Sequence, residues 1–194
     1  QVAEASGDAE LAVDNDGTID VSASSYANGT SETDAFASAV GVAQGAFSEA
    51  SADVHGANSG NVNVSAEANA FGEDTTAVAE ALGWGQLAVA ESGDARVLLD
   101  QDGAIMVWAI ANSESTWESA FGAATAIGVT QEAFAGSGSA DATLENTGSI
   151  YASAETFVRP DNGNSGYGIA YAAGINQEVA GNAEADARIG NHSS

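Results

Sequence analysis

The stretch DNDGTIDVSA at residues 14–23 recurs along the chain as ANSGNVNVSA (57–66), DQDGAIMVWA (100–109) and ENTGSIYASA (145–154). A second motif, glycine–apolar–any–glutamine, occurs as GVAQ (41–44), GWGQ (83–86), GVTQ (128–131) and GINQ (174–177). Because two independent motifs share a period of about 44 residues, the chain is a single repeat array. The approximate units are residues 1–43, 44–85, 86–130 and 131–176, followed by a tail, 177–194.

Each repeat contains three segments in which apolar residues alternate with polar ones. The first segment is represented by Ile19, Val21 and Ala23, the second by Ala37 and Ala39, and the third by Ala9, Leu11 and Val13. Alternation at period two predicts strands. Helix is the competing interpretation because alanine is the best helix former, but glycines interrupt every unit. The sequence therefore predicts an all-β, elongated β-solenoid resembling a parallel β-helix.

The number of solenoid turns in each repeat is left open by the sequence. A repeat of about 44 residues makes either one wide turn or two turns of about 22. We favour two turns, because a single turn needs unusually long arms.

Composition excludes several functional classes. The chain has 28 acidic residues against three arginines and no lysine, a formal charge of −25, which disfavours nucleic acid as a partner. Cysteine is absent, so disulfides and thiolate metal sites are excluded. No apolar run approaches the roughly 20 residues of a membrane span, and we expect no membrane insertion.

Alignment of the repeats reveals two columns of amide side chains. Stacked amides at the strand spacing form hydrogen bonds along the axis, so we expect structural amide ladders at both columns. The first column is Gln1, Gln44, Gln86, Gln131 and Gln177, and the second is Asn15, Asn58, Gln101, Asn146 and Asn191.

The DNDG motif admits two interpretations. Its carboxylates, Asp14 and Asp16, and those of the related DQDG, Asp100 and Asp102, are candidate calcium ligands. The second repeat has none of them, however, and a calcium site needs six to eight oxygen ligands. A turn explains the same residues, because Asn and Asp favour turns and glycine supplies positive φ. We favour the turn and keep calcium as the only candidate cofactor.

Neither catalysis nor modification leaves a clear signature. His55 and His192 lie in different repeats, and no nucleophile is marked out by a base and an orienting group. We therefore expect no enzyme. Asn28 begins the sequon Asn-Gly-Thr in an apparent loop and is the candidate N-glycosylation site.

The ends of the array carry no visible capping repeat. Two explanations fit this pattern, a subunit that stacks head to tail and a section of a longer repeat protein. If a turn takes about 22 residues, the 17 residues after Gln177 nearly complete one, and a following copy would begin in phase.

The recurring N-x-G-x-[IV]-x-[VA]-x-A and G-[VIW]-x-Q elements resemble the Ala/Gly/Asn-rich repeats of bacterial surface adhesins, including autotransporter passenger-type β-solenoids. The Gln and Asn columns are similar to those of curli-type functional amyloids, although this repeat is about twice as long. The resemblance implies an extracellular or cell-surface fibre or adhesin used in surface attachment and biofilm matrix.

These observations lead to one main hypothesis and two alternatives. The main one is a structural subunit or segment of an extracellular β-solenoid fibre that associates with itself head to tail. The first alternative is an adhesin or ligand-binding solenoid that recognises surface glycans or ice on an outer face. A solvent-facing array of aromatics or threonines would favour it. The second is a calcium-dependent solenoid.

Overall fold

The protein folds into three parallel β-sheets, as a computed structural model shows for residues 1–117, 119–160 and 165–192. Within these residues there are fourteen strands and no helix. Sheet A has the strand order β1-β4-β7-β10-β13, sheet B β14-β11-β8-β5-β2 and sheet C β12-β9-β6-β3. The strands are β1 Val2–Ala5, β2 Ala9–Asn15, β3 Thr18–Asn28, β4 Glu32–Ser48, β5 Ala52–Asn58, β6 Asn61–Gly72, β7 Asp74–Ala90, β8 Ala95–Gln101, β9 Ala104–Ser115, β10 Ala120–Ala135, β11 Ala140–Asn146, β12 Ser149–Pro160, β13 Gly166–Gly181 and β14 Ala185–Asn191.

The chain visits sheets A, B and C in turn and then returns to A, which is the path of a parallel solenoid. Paired residues lie between 42 and 46 positions apart, as in Gln44–Gln86 and Gln131–Gln177. One coil therefore takes about 44 residues, and the expectation of two turns of about 22 is wrong. The tail adds β14 to sheet B. It is much shorter than a coil of about 44 residues, so the expectation that it nearly completes a turn is also wrong.

A coil of about 44 residues does not need unusually long straight arms, because each long strand of sheet A bends. In β4 the inward side chains are Ala35, Ala37 and Ala39 before Gly41, but Val42 and Gln44 after it. The inward phase thus shifts by one residue at the glycine. The first half of the strand then packs on sheet C and the second half on sheet B, which gives the coil four sides from three sheets.

Two clusters form the core, and alanine dominates both. The largest buried side chain is Trp84, whose column otherwise holds Val42, Val129 and Ile175. Its extra volume is accommodated at Gly56, where a Cβ would lie 2.8 Å from Cζ2 of Trp84. A large residue in one column therefore faces a small one in the next, as close packing requires.

The corner between sheets B and C depends on a column of glycines at positions 17, 60, 103 and 148. A Cβ at Gly60 or Gly103 would lie 1.9 Å from the carbonyl oxygen of the glycine one coil earlier, and one at Gly148 would lie 2.0 Å from it. The turn interpretation expects glycine here because of a positive φ, but none of these four glycines has one. Glycine is required because a Cβ at this corner would point along the axis at the backbone of the preceding coil, which lies only one strand spacing of about 4.8 Å away.

This geometry predicts that Gly103→Ala is strongly destabilising. The new methyl group meets backbone rather than a flexible side chain, so the coils must separate, and we expect the free energy of unfolding to fall by about 3 kcal/mol. Thermal unfolding followed by circular dichroism measures the change. Gly7→Ala is the matched control, because nothing lies within 4 Å of its Cβ position. Equal melting temperatures for the two variants would contradict the steric account.

Candidate functional site: amide columns, acidic corner and outer faces

The glutamine column forms a continuous ladder inside the solenoid. Nε2 of Gln86 donates to Oε1 of Gln44 at 3.2 Å, and the same bond joins Gln131 to Gln86 at 2.9 Å and Gln177 to Gln131 at 2.7 Å. Gln44, Gln86 and Gln131 are buried. Since each buried amide is paired, the ladder avoids the cost of orphaned polar groups.

Each glutamine also ties sheet A to sheet B. The same Nε2 atoms donate to main-chain carbonyl oxygens of the facing strands, at 3.0 Å for Gln44 and His55, and at 2.9 Å for Gln86 and Leu98. Nε1 of Trp84 adds a bond to Oε1 of Gln44 at 3.1 Å. Gln1 stands one coil before Gln44 in this column, but the bond that it makes there is from its ammonium group to the carbonyl oxygen of Ala43.

The asparagine column lies at the corner between sheets B and C and contains one break. Asn15 donates to Asn58 at 2.7 Å, Asn58 to Gln101 at 2.8 Å, and Asn146 to Asn191 at 3.0 Å. Between Gln101 and Asn146 the bond is missing, and Nε2 of the first and Oδ1 of the second are both buried without a partner among the described residues. The break falls where glutamine replaces asparagine.

The four candidate calcium ligands line one pocket of about 150 Å³ at this corner, but they come from two different coils. Asp14 and Asp16 belong to one coil and Asp100 and Asp102 to a coil two steps along the axis, with Ala57 and Ser59 of the intervening coil between them. Oδ1 of Asp102 accepts a hydrogen bond from Oγ1 of Thr147 at 2.6 Å. Within residues 1–117, 119–160 and 165–192, no three His, Asp or Glu residues are placed to hold a metal ion.

Main-chain hydrogen bonds between successive coils hold the chain at this corner. The amides of Ser59 and Gly60 both donate to the carbonyl oxygen of Asn15, at 2.9 and 3.1 Å, and the pattern repeats in later coils. Oδ1 of Asn15 accepts the Gly17 amide at 3.3 Å. The DNDG residues thus form a corner that is bonded to the next coil.

The outer surface of sheet B concentrates ionisable groups. Arg96 lies between Asp53 and Asp141 in adjacent coils, and Nε2 of His55 lies 3.4 Å from Oδ2 of Asp100. Partial burial raises the pKa of Asp53, Arg96 lowers it, and nearby carboxylates such as Glu10 raise it further. Since the folded state holds this proton more tightly, the Asp53 contribution to stability falls as pH rises above the ordinary value of 3.8.

The pKa of Arg188, also on sheet B, is raised by its hydrogen bond to Asp186 and by the charge of that carboxylate. His192 at the end of the described chain contacts Glu145, 3.0 Å from its Oε2. Asn28 is exposed at the end of β3, and its Nδ2 lies 3.4 Å from the hydroxyl of Tyr26. Its glycosylation stays a prediction.

Sequence reasoning missed how completely the aromatic residues occupy the outer faces. Of the aromatic side chains whose positions are described, Trp84 is fully buried, while Tyr26, Phe36 and Tyr171 are more than half exposed. On sheet C, Trp108 contacts Tyr151 of the next coil, with ring centroids 6.1 Å apart. Alternation at period two contained this signal, because aromatics such as Phe36, Trp108 and Tyr151 stand out of phase with the inward residues of their strands.

Comparison with known proteins assigns no family: no protein-family model, curated protein or solved structure matches this chain. In the part of the chain that the structure describes, no helix has the length and apolar character needed to cross a membrane.

The broken ladder predicts that Gln101→Asn stabilises the protein. Asparagine at this position recreates the Asn–Asn step that is bonded elsewhere in the column, and it pairs two atoms whose orphaning costs roughly 1–3 kcal/mol each. Loss of one buried methylene costs roughly 1 kcal/mol. We expect a net gain of about 1 kcal/mol, measured by chemical denaturation.

The matched control is Gln131→Asn, the same chemical change where the amide already makes two bonds, at 2.9 and 3.0 Å. We expect this variant to lose roughly 2 kcal/mol. A similar loss in the free energy of unfolding of both variants would show that the missing bond between Gln101 and Asn146 does not destabilise the protein.

Proposed function

We propose that the protein is a structural rod, a subunit or segment of an extracellular β-solenoid fibre that associates with itself head to tail. The main support is a steric feature of the first corner, Gly17. Its counterparts Gly60, Gly103 and Gly148 have no room for a Cβ because the preceding coil lies against them. At Gly17 the nearest atom to a Cβ is Oδ1 of Asn15, at 4.0 Å. Glycine at this position is explained if another coil packs against it.

The strand edges at the two end faces support the same proposal. Sheet A ends on β1 and β13, and sheet B ends on β2 and β14. Strand edges with free main-chain donors and acceptors are templates for further pairing. A following copy is therefore proposed to place its β1 and β2 on β13 and β14. Within the described residues sheet C has four strands where the others have five, so the proposed contact uses sheets A and B and the corner that begins after β14, where the amide of His192 donates to the carbonyl oxygen of Asn146.

The glutamine ladder has a direction along the axis, and this direction supports a head-to-tail rather than a head-to-head contact. Every bond in the column runs from Nε2 of one coil to Oε1 of the preceding coil. Oε1 of Gln177 accepts no bond within residues 1–117, 119–160 and 165–192, and Gln1 stands at the opposite face of the same column. In a head-to-tail pair, Gln1 of the following copy extends the ladder by donating to Gln177.

Gly17→Val is expected to prevent assembly while preserving the fold. The new side chain enters open space in the single chain but occupies the position of an added coil. Negative-stain microscopy and sedimentation velocity should show filaments for the unmodified chain and short rods without filaments for the variant. Because assembly itself raises the melting temperature, the two are compared at a dilution at which neither assembles, where their melting temperatures should agree within about 2 °C.

Gly60→Val is the contrasting variant, because its side chain meets the Gly17 carbonyl and should damage the fold itself. Short monodisperse rods of the unmodified chain at every protein and salt concentration would overturn the proposal. Filaments of unchanged length from Gly17→Val would overturn the proposed contact.

A second candidate function is recognition of uncharged glycans on sheet C. The favouring observation is a shallow pocket of about 200 Å³ in which Trp108 forms a wall beside Ser22, Ser65 and the Asp20–Asn63 pair, bonded at 2.7 Å. Aromatic faces pack against sugar C–H groups, and the polar side chains are suited to hydroxyls. The charge of −25 disfavours anionic polysaccharides.

Titration with neutral oligosaccharides, followed by tryptophan fluorescence and calorimetry, tests this candidate. Trp108→Ala should weaken binding at least tenfold, and Trp117→Ala, a change at another exposed tryptophan, should leave it unaltered. Absence of heat and fluorescence change with every neutral oligosaccharide would eliminate the candidate.

A further inference from the structure

The first half of sheet A presents an outer surface that differs from the rest of this acidic chain. We define the apolar face as four columns of outward residues in register along the axis: Asp34, Thr76, Phe121 and Tyr167; Phe36, Val78, Ala123 and Ile169; Ser38, Glu80, Thr125 and Tyr171; Val40, Leu82, Ile127 and Ala173. Two columns are wholly apolar. Phe36 is 60% exposed and Tyr167 is 63% exposed.

Charge is distributed unevenly over this surface. Its two carboxylates are Asp34 on β4 and Glu80 on β7, while the eight outward residues of β10 and β13 carry no charge. In a chain with a formal charge of −25, an uncharged apolar surface spanning two coils is a feature of interaction sites.

We infer that the apolar face is a lateral contact between two copies of this chain, related by a two-fold axis parallel to the strands. The two solenoids are then antiparallel, so β4 of one copy faces β13 of the other and β7 faces β10. Under this symmetry each column meets itself in reverse order. Apolar residues meet apolar residues: Phe36 faces Ile169, Val78 faces Ala123, Leu82 faces Ile127 and Val40 faces Ala173.

The carboxylates also find suitable partners in this arrangement. Asp34 faces the hydroxyl of Tyr167, and Glu80 faces the hydroxyl of Thr125, both of which can donate hydrogen bonds to a carboxylate. No carboxylate faces a carboxylate. A parallel pairing instead places Glu80 against Val78 and Asp34 against Val40, which buries charge against apolar side chains. Electrostatics therefore selects the antiparallel pair.

The size of the contact makes it weak and reversible. Seven residues along the strand and four strands across cover a flat area that buries roughly 900 Å² in total over two copies, just below the range of stable interfaces. Repulsion between two acidic chains opposes the contact further. We therefore expect pairing to strengthen when salt screens that repulsion.

Sedimentation velocity at increasing protein concentration, in about 0.02 M and about 0.5 M NaCl, tests the inference. Gly17→Val, which is expected not to grow head to tail, should form a dimer that tightens at high salt, and the unmodified protein should show the same salt-dependent pairing in addition to head-to-tail growth. Because lateral pairing ends at two copies and head-to-tail growth does not, the Gly17→Val background separates this result from the fate of the proposed fibre contact.

Ile127→Asp should weaken the dimer at least tenfold, because it places a carboxylate opposite Leu82 at two symmetry-related points. Ile110→Asp is the matched control, the same change on the outer surface of sheet C. Circular dichroism verifies that both variants melt like the parent. Failure of any dimer to form at high salt, or equal effects of the two variants, would overturn the lateral contact.

Single cysteines determine the orientation, since the chain has no cysteine of its own. With sheets about 10 Å apart, the two copies of Thr125→Cys lie about 11 Å apart and those of Ser38→Cys about 17 Å apart in the antiparallel pair. A short bismaleimide should therefore join the first variant and not the second. Efficient joining of Ser38→Cys would indicate the parallel arrangement and contradict the inference.

Discussion

The spacing of about 4.8 Å between hydrogen-bonded strands is the constraint on which the rest of this structure depends. At the corners between sheets B and C this spacing brings carbonyl oxygens to within 2 Å of where a Cβ would stand, so glycine is obligatory at positions such as Gly103. In the interior, the same spacing allows amides such as Gln86 and Gln131 to bond directly to one another. Sterics and hydrogen bonding therefore fix the same 44-residue period.

The alanine-rich core reflects a second constraint, the short distance between the packed sheets. The first and second halves of the sheet A strands pack on different sheets, and small side chains let these surfaces approach closely. Each alanine contributes little apolar burial, so the main-chain ladders and amide columns contribute much of the specificity. Most of the aromatic residues stand instead on the outer faces, where Phe36, Trp108 and Tyr167 are available for contacts with other molecules.

The all-β class, the inward columns and the amide positions follow from the sequence, because alternation and repetition are local and countable. The coil length does not, since the phase shift at Gly41 makes one long strand serve two sides and removes the objection to a wide turn. The steric need for glycine at positions such as Gly60 also does not follow from the sequence, because close approach between coils is a tertiary property. The break at Gln101 and the lateral arrangement of the apolar face likewise depend on neighbours far away in sequence.

Nuclear Overhauser contacts between side-chain amides in the glutamine column test the one-coil-per-repeat architecture most directly. The account predicts contacts between the Nε2 protons of Gln86 and Gln131, whose amides are joined by a bond of 2.9 Å, and between the indole N–H of Trp84 and Gln44. These pairs are 45 and 40 positions apart in the chain. Absence of these contacts, together with contacts between strand residues about 22 positions apart, would contradict it.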